Sequence, residues 1–143
     1  MDMCVLTTFI KSASRNHLIF TDGCVDGYTY VDVGLQVSEY IEYRLSDRRL
    51  SMRTQDFVNT LLRDNVQQSQ VIGSYLALSN LGILFEPLLK MDIEALFNRW
   101  SQNNTLIINM DIGSVENNRF SLVKNAPEQY SVSLHAINHI VLP

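Results

Sequence analysis

The stretch GSYLALSNLGILFEPLLKMDIEALFNRWSQNNTLIINMD, residues 73–111, decides the fold. It contains an apolar run at residues 75–78 and a second, nearly continuous apolar run at residues 105–110. Both runs are typical of buried strands. Between them, Asp92 is suited to cap a helix whose apolar face is formed by Ile93, Leu96, Phe97 and Trp100. A strand, a crossover and a strand in this order predict neighbouring parallel strands, the unit of α/β folds.

The residues before this stretch add more elements of the same kinds. The spacing of apolar side chains and the runs of strand formers predict helices over residues 2–14 and 35–45 and strands over residues 17–21 and 28–33. Gly34 is expected to end the second of these strands. Thr54 is suited to cap a helix over residues 56–63. The polar residues 65–70 predict a loop.

The residues after this stretch predict short strands. The pattern indicates a turn at residues 113–118, an edge strand at 120–123, an interruption at 126–128, and strands at 131–134 and 137–142. The whole chain therefore predicts an α/β, three-layer sandwich. Its central sheet is expected to be mostly parallel, with an antiparallel or edge addition of short C-terminal strands.

Size and composition favour one folded domain spanning residues 1–143. Apolar residues make up 46% of the 143 residues and charged residues 18%, which is typical of a globular protein rather than a disordered one. The net charge of -4 gives the chain no general basic footprint for nucleic acid. Helical and strand segments follow one another without a linker or an internal repeat.

The cysteine content and the lengths of the apolar runs indicate where in the cell the protein is expected. Cys4 and Cys24 form neither a C-x-x-C pair nor a zinc-binding spacing, so reduced thiols in the cytoplasm are the expectation. No apolar run approaches 18 residues, which excludes a membrane-spanning helix from the prediction. The N-terminus lacks the pattern of a signal peptide.

Several short motifs occur in an order that resembles a known family. They are residues 30–38 (YVDVGLQVS), Arg48-Arg49, residues 83–89 (ILFEPLL), residues 103–105 (NNT) and Gly113-Ser114. This order is similar to that of the small P-loop protein of type 3 bacteriophage-exclusion (BREX) defence systems, from about Asn16 onward. The resemblance implies a P-loop-NTPase-like core. It also implies other proteins of a defence complex as partners, and assembly into an oligomer.

The residues with which that family binds phosphate and magnesium are mostly absent from this sequence. The segment expected to bind phosphate is residues 21–28 (TDGCVDGY), where Gly23 and Gly27 have nearly the right spacing but no lysine follows. Asp22 and Asp26 place negative charge where a polyphosphate would lie. Ser79-Asn80 stands where the resemblance implies a Walker B carboxylate. The prediction is a degenerate phosphate loop (Asp22, Gly23, Cys24, Asp26, Gly27) with no catalytic residue, cofactor or metal. Residual nucleotide binding is the alternative.

Other chemistry-bearing residues have a functional and a structural interpretation. Asp22, Asp26 and Asp111 could hold a divalent metal or act as acid and base at the carboxyl end of the sheet, but an Asx turn is the preferred interpretation. Asn109 could act as the sensor-like polar residue that similar ATPases use at this place, but helix or turn capping is the preferred interpretation. Cys24 is a poor nucleophile, because the neighbouring aspartates disfavour a thiolate.

Histidines and tyrosines favour structural roles. His135 and His139 are four residues apart, which would suit a metal on a helix, but only the distant His17 could add a third ligand. The sequence therefore predicts structural histidines. Aromatic side chains are frequent in one window, and core or oligomer contacts are their preferred interpretation: Tyr28, Tyr30, Tyr40 and Tyr43.

Four arginines form the basic cluster of the chain: Arg44, Arg48, Arg49 and Arg53. Three interpretations stay open. The cluster could contact an acidic protein partner, form a solvated face with ion pairs to Asp47 and Glu42, or contact nucleic-acid phosphates. The leading hypothesis is a non-catalytic P-loop-like subunit that assembles or regulates a prokaryotic antiphage defence complex. A nucleic-acid-binding adaptor that uses the arginines is the alternative.

Overall fold

Five parallel strands form the main sheet of the computed structural model, which describes residues 8–9, 14–123 and 130–142. Their order is β2-β4-β5-β1-β9, where the strands are β1 (Leu18–Thr21), β2 (Tyr30–Asp32), β4 (Gly73–Ser79), β5 (Thr105–Asn109) and β9 (His139–Leu142). A sixth strand, β3 (Gln67–Ser69), pairs antiparallel with the first half of β4. The prediction of an α/β fold with a mostly parallel central sheet is therefore confirmed.

The strand, crossover and strand of residues 73–111 have the predicted arrangement. β4 and β5 are parallel neighbours, and α3 (Ile93–Asn103) connects them. Asp92 caps this helix, since its Oδ1 accepts a hydrogen bond from the backbone N–H of Ala95 at 3.0 Å. The predicted apolar face of α3 is buried, and so are all five residues of β5. Two short 3-10 turns, Gly82–Phe85 and Pro87–Leu89, lie between β4 and α3.

The three described helices pack against one face of the sheet. Side chains that alternate along β1 separate into two clusters, with Leu18 and Phe20 in the larger one and Ile19 in the smaller one. The larger cluster contains the apolar faces of α1 (Val33–Ile41), α2 (Leu50–Asp64) and α3. The opposite face is packed by side chains such as Phe9 and Tyr28. The helices over residues 33–41, 50–64 and 93–103 therefore form one layer. Of the helix predicted over residues 2–14, the structure describes Thr8 and Phe9, which are helical, and Phe9 packs on the opposite face; the rest is outside the described residues or, at Ser14, not helical.

A small antiparallel sheet follows the main one. It consists of β6 (Ser114–Glu116), β7 (Arg119–Ser121) and β8 (Ser131–Ser133), in that order. Phe120 of β7 packs against Phe20 with 5.2 Å between ring centroids, which fixes this sheet on the helix-bearing face. The predicted turn over residues 113–118 was wrong, because β6 occupies its middle. The strand predicted over residues 131–134 lies in this second sheet, and the interruption predicted at residues 126–128 is outside the described residues.

Four local predictions need correction. The edge strand predicted over residues 120–123 was wrong, because β7 is the middle strand of the second sheet. β9 lies at the edge of the main sheet, in agreement with the predicted edge addition, and runs parallel to β1. Gly34 does not end the strand: it is the second residue of α1, because Asp32, two residues earlier, already caps the helix. Thr54 is not an N-cap: it lies buried within α2, which begins at Leu50. The loop predicted over residues 65–70 contains β3, whose polar side chains are compatible with pairing through the backbone.

No helix among the described residues is long and apolar enough to cross a membrane.

Candidate functional site

Polar residues end four neighbouring parallel strands at the carboxyl edge of the main sheet. Asp32 is the register partner of Ser79, and Thr21 is the register partner of Asn109. β4 and β5 are paired up to Leu78 and Ile108, so all four polar residues fall in one row. The chain leaves β1 toward β2 and leaves β5 toward β9, in opposite directions along the sheet. Ligands of open α/β sheets bind at such a switch point, which makes this edge the candidate site.

The loop after β1 is a crossover without a helix. Residues 22–29 connect β1 to β2, although β5 and β4 lie between these two strands in the sheet. Tyr28 packs edge-to-face on Tyr75 of β4 with 5.0 Å between ring centroids. Burial raises the pKa of the Tyr28 hydroxyl above its ordinary value; a hydrogen bond with Ser69 offsets part of this rise, and the nearby Tyr75 and Tyr30 add to it. Aromatic packing thus holds the loop where a phosphate loop would lead into a helix.

Backbone N–H groups of this loop donate to the protein's own side chains. The N–H of Gly23 donates to Oδ1 of Asn109 at 3.1 Å, and that of Val25 donates to the hydroxyl of Tyr30 at 3.1 Å. The N–H of Thr29 donates to the hydroxyl of Tyr75 at 3.0 Å. A phosphate loop works by directing such groups at the ligand. Three of the donors in this segment are therefore already engaged.

Asp32 and Asn80 join three strand ends. Oδ1 of Asp32 accepts the backbone N–H of Leu35 at 2.9 Å and the Nδ2 of Asn80 at 2.9 Å. These two hydrogen bonds, first Leu35 and then Asn80, lower the pKa of the Asp32 carboxyl. The backbone N–H of Asn80 donates to Oδ2 of Asp111 at 3.2 Å. The N-terminus of α1, a natural anion site, is therefore occupied by a carboxylate.

A cavity of about 720 Å³ opens above this edge, and we call it the carboxyl-edge cavity. Its polar lining includes Cys24, Asp32, Asn80 and Asp111, and Leu122 contributes to its apolar wall. The described residues place no lysine, arginine or histidine in the lining. The arrangement suits a cationic or hydrogen-bond-donating group and repels a polyphosphate.

The structure separates the aspartates that were considered for a metal. Asp22 and Asp26 line a different cavity, of about 600 Å³, whereas Asp111 lines the carboxyl-edge cavity. Within residues 8–9, 14–123 and 130–142 no group of three or more His, Cys, Asp or Glu side chains could hold a metal ion. The structure therefore does not bring Asp22, Asp26 and Asp111 into one cavity, and the described histidines belong to no such group. Asn109 connects the loop after β1 to the loop after β5. Its Oδ1 accepts the N–H of Gly23 and also that of Asp111, the latter at 3.0 Å.

The remaining candidates have the following places. His139 contacts the carbonyl of Ile137 through Nδ1, His17 packs edge-to-face on Phe9, and His135 is exposed in a turn. Cys24 is exposed and accepts a hydrogen bond from Nδ2 of Asn109 at 3.4 Å. Gly27 has a φ of +89°, a left-handed conformation that glycine adopts without strain.

The arginine cluster lies at the other end of α1, around the turn into α2. Nε of Arg53 is 3.4 Å from Oδ2 of Asp47. Arg44 stacks over the ring of Tyr40 at 4.2 Å and donates to its carbonyl. Arg48 and Arg49 are exposed and form no ion pair with any described residue. The predicted ion pair to Asp47 is thus present for one arginine.

The four tyrosines have different surroundings. Tyr40 stacks on Phe57 with 4.2 Å between ring centroids, and Tyr28 and Tyr30 pack in the smaller apolar cluster of the sheet. Tyr43 is 86% exposed beside Leu45, which is 66% exposed. Sequence reasoning missed Asp32 and Asn80 as site residues. The available signal for Asp32 was an aspartate immediately before a helical run, the usual place of an N-cap.

Comparisons of the chain with protein-family models, with curated proteins and with solved structures give no match.

Proposed function

We propose that this chain is a non-catalytic, P-loop-like α/β subunit that acts as an assembly or regulatory component of a prokaryotic antiphage defence complex. The defence role rests on the resemblance of its motif order to the small P-loop protein of type 3 bacteriophage-exclusion systems. The absence of catalysis rests on the carboxyl edge of the sheet. Exposed arginines and apolar side chains around residues 43–49 supply a surface for protein contacts.

The strand order supports the P-loop-like part of the proposal. Numbered along the chain, the parallel strands follow the order 2-3-4-1-5, with the first strand between the last two. A mostly parallel sheet with its first strand in the interior agrees with the P-loop-like core that the resemblance implies. This is an analogy of fold only, and the chemistry has to be argued from the site.

One observation carries the non-catalytic part. The N–H groups of Gly23, Val25 and Thr29 donate to Asn109, Tyr30 and Tyr75. Binding a phosphate here would require breaking these hydrogen bonds beside two aspartates and without a lysine. Leaving a buried acceptor without its hydrogen bond costs about 1–3 kcal/mol. Turning the loop N–H groups toward an anion would therefore be unfavourable.

Isothermal titration with Mg-ATP tests this part. We expect no saturable heat, whereas micromolar binding would contradict the proposal and favour the residual nucleotide-binding alternative. The assembly part is tested by co-expressing the chain with the proteins encoded beside its gene and purifying the tagged chain. Arg48→Glu/Arg49→Glu should reduce recovery of its partner, and the matched control Arg63→Glu, an exposed arginine at the end of α2, should not.

The nucleic-acid alternative is favoured by one observation, the two exposed arginines without an ion pair among the described residues. A gel shift with double-stranded DNA at several salt concentrations tests it. Binding that falls steeply with salt and disappears in Arg48→Glu/Arg49→Glu would support this alternative.

A further inference from the structure

Two surfaces at opposite ends of α1 are complementary in charge. The first is the arginine corner, which we define as residues 43–49. Residues 42–53 contain four arginines and two acidic residues, Glu42 and Asp47. This segment therefore carries a charge of +2 in a chain whose net charge is -4. Arg48 and Arg49 within it are exposed and have no acidic partner among the described residues. The corner therefore presents two guanidinium groups available to another surface.

The second surface is the carboxyl-edge cavity. Asp32 and Asp111 line it, and neither forms an ion pair with a described residue. Their hydrogen bonds from the described part of the chain use Oδ1 of Asp32 and Oδ2 of Asp111. The other oxygen of each carboxylate accepts no hydrogen bond from the described residues, and an external donor could bind it. A guanidinium group, with its planar set of N–H donors, matches such a pair of acceptors.

Apolar side chains accompany the charges on both surfaces. In the arginine corner, Tyr43 and Leu45 are among the most exposed large apolar residues of the described chain. At the cavity, Ile112 is 79% exposed and Val123 is 41% exposed. Interfaces commonly combine aromatic and arginine anchors with surrounding apolar contact, which is the composition found here.

We propose that the arginine corner of one copy of this chain docks into the carboxyl-edge cavity of a second copy. Asp32 begins α1 and the arginine corner follows its end, so a single copy cannot bring the two surfaces together without unfolding the helix. The contact therefore joins different patches of two copies and leaves each copy with a free patch of its own. This inference rests on the proposed function, because it names the contact through which the subunit assembles.

Sedimentation velocity of purified variants tests the contact at an ionic strength of about 0.01 M, where charges are screened only beyond about 30 Å. Wild type should show an average mass above that of the monomer that rises with protein concentration. Arg48→Glu/Arg49→Glu should stay monomeric, and so should Asp32→Asn/Asp111→Asn. Asparagine keeps both the helix cap and the left-handed conformation of Asp111, so the second variant is expected to fold.

An equimolar mixture of the two double variants gives the decisive result. One variant retains its arginine corner and the other retains its cavity, so the mixture should form dimers although neither variant does alone. Arg63→Glu and Asp26→Asn, which change exposed charges elsewhere, should associate like wild type.

Three results would overturn the contact: a monomeric wild type, a double variant that associates like wild type, or a mixture that stays monomeric. None of them bears on the titration with Mg-ATP or on co-purification with neighbouring proteins, so the proposed function can fail or survive separately.

Discussion

Gly34 and Asn80 approach so closely that a side chain on Gly34 has no space. A Cβ at this position would lie 2.3 Å from Nδ2 of Asn80 and 2.9 Å from its carbonyl oxygen. The Asn80 amide cannot move away without losing its hydrogen bond to Asp32. This contact seats the first turn of α1 against the end of β4, and it explains why a glycine occurs inside a helix.

The replacement Gly34→Ala should lower the free energy of unfolding by about 1–3 kcal/mol, because the added methyl group forces the strand end and the helix apart. Urea denaturation measures the change. Gly82→Ala is the matched control, since a Cβ there meets no atom within 4 Å, and its effect should stay within about 0.5 kcal/mol. Equal effects of the two replacements would show that the close approach has no energetic consequence.

The carboxylate of Asp32 should make stability depend on pH. Its pKa in the folded chain lies below the ordinary value of 3.8, so the folded state favours the charged form. The contribution is then fully present well above pH 3.8 and is lost as the pH falls through the lowered folded pKa. Wild type should exceed Asp32→Asn in stability at neutral pH, and urea denaturation should show this advantage shrinking in acid.

Asp32→Ala supplies the control for the cap itself. Alanine cannot accept the hydrogen bond from Leu35, so this variant should be less stable than Asp32→Asn by about 0.5–2 kcal/mol at every pH. A difference between wild type and Asp32→Asn that is constant with pH would contradict the assignment of the charge to the cap.

Thr54 discriminates between the sequence interpretation and the structure. Its hydroxyl is buried in α2 and has no hydrogen-bond partner among the described residues. Thr54→Val keeps the shape and removes this hydroxyl, so stability should stay the same or rise by about 1 kcal/mol. Thr54→Ser, which keeps the hydroxyl and loses a methyl group, should lower it by about 1 kcal/mol. A loss of about 0.5–2 kcal/mol in Thr54→Val would restore the interpretation of Thr54 as an N-cap.

Asn109 should determine the order of the loop after β1. Its Oδ1 accepts the N–H groups of Gly23 and Asp111, so Asn109→Ala leaves two donors without an acceptor and should cost about 1–3 kcal/mol. Amide hydrogen exchange at Gly23 should accelerate. Asn59→Ala, on the exposed side of α2, should change neither quantity. Unchanged exchange at Gly23 in Asn109→Ala would mean that this hydrogen bond does not hold the loop.

The parts of the fold that the sequence could predict are those determined by local apolar patterns. Residues 75–78 and 106–108 are apolar because both faces of their strands are buried, and Asp92 precedes a helix with a regular apolar face. β3 escaped prediction because an edge strand that pairs only through its backbone needs no apolar side chain. The boundaries at Gly34 and Thr54 depend on contacts with distant residues, which local propensity does not contain.

The candidate site was predicted only in part for the same reason. The loop after β1 could be singled out from its glycine spacing and missing lysine. Its hydrogen bonds depend on Asn109, Tyr30 and Tyr75, which lie up to 86 residues away in sequence. The pairing of Asp32 with Asn80 likewise spans 48 residues. The sheet order brings Asp22 and Asp111 to the ends of the neighbouring strands β1 and β5. Their separation into two cavities follows from the paths of the two loops, which single-sequence reasoning did not provide.

The engagement of the loop amides is the central claim, and an amide NMR titration with Mg-ATP tests it most directly. The resonances of Gly23, Val25 and Thr29 report on the three N–H groups that donate to Asn109, Tyr30 and Tyr75. We expect these resonances to keep their positions up to millimolar nucleotide. Saturable shifts at all three positions would mean that the loop releases its own acceptors for phosphate, and the account of a non-catalytic subunit would then be wrong.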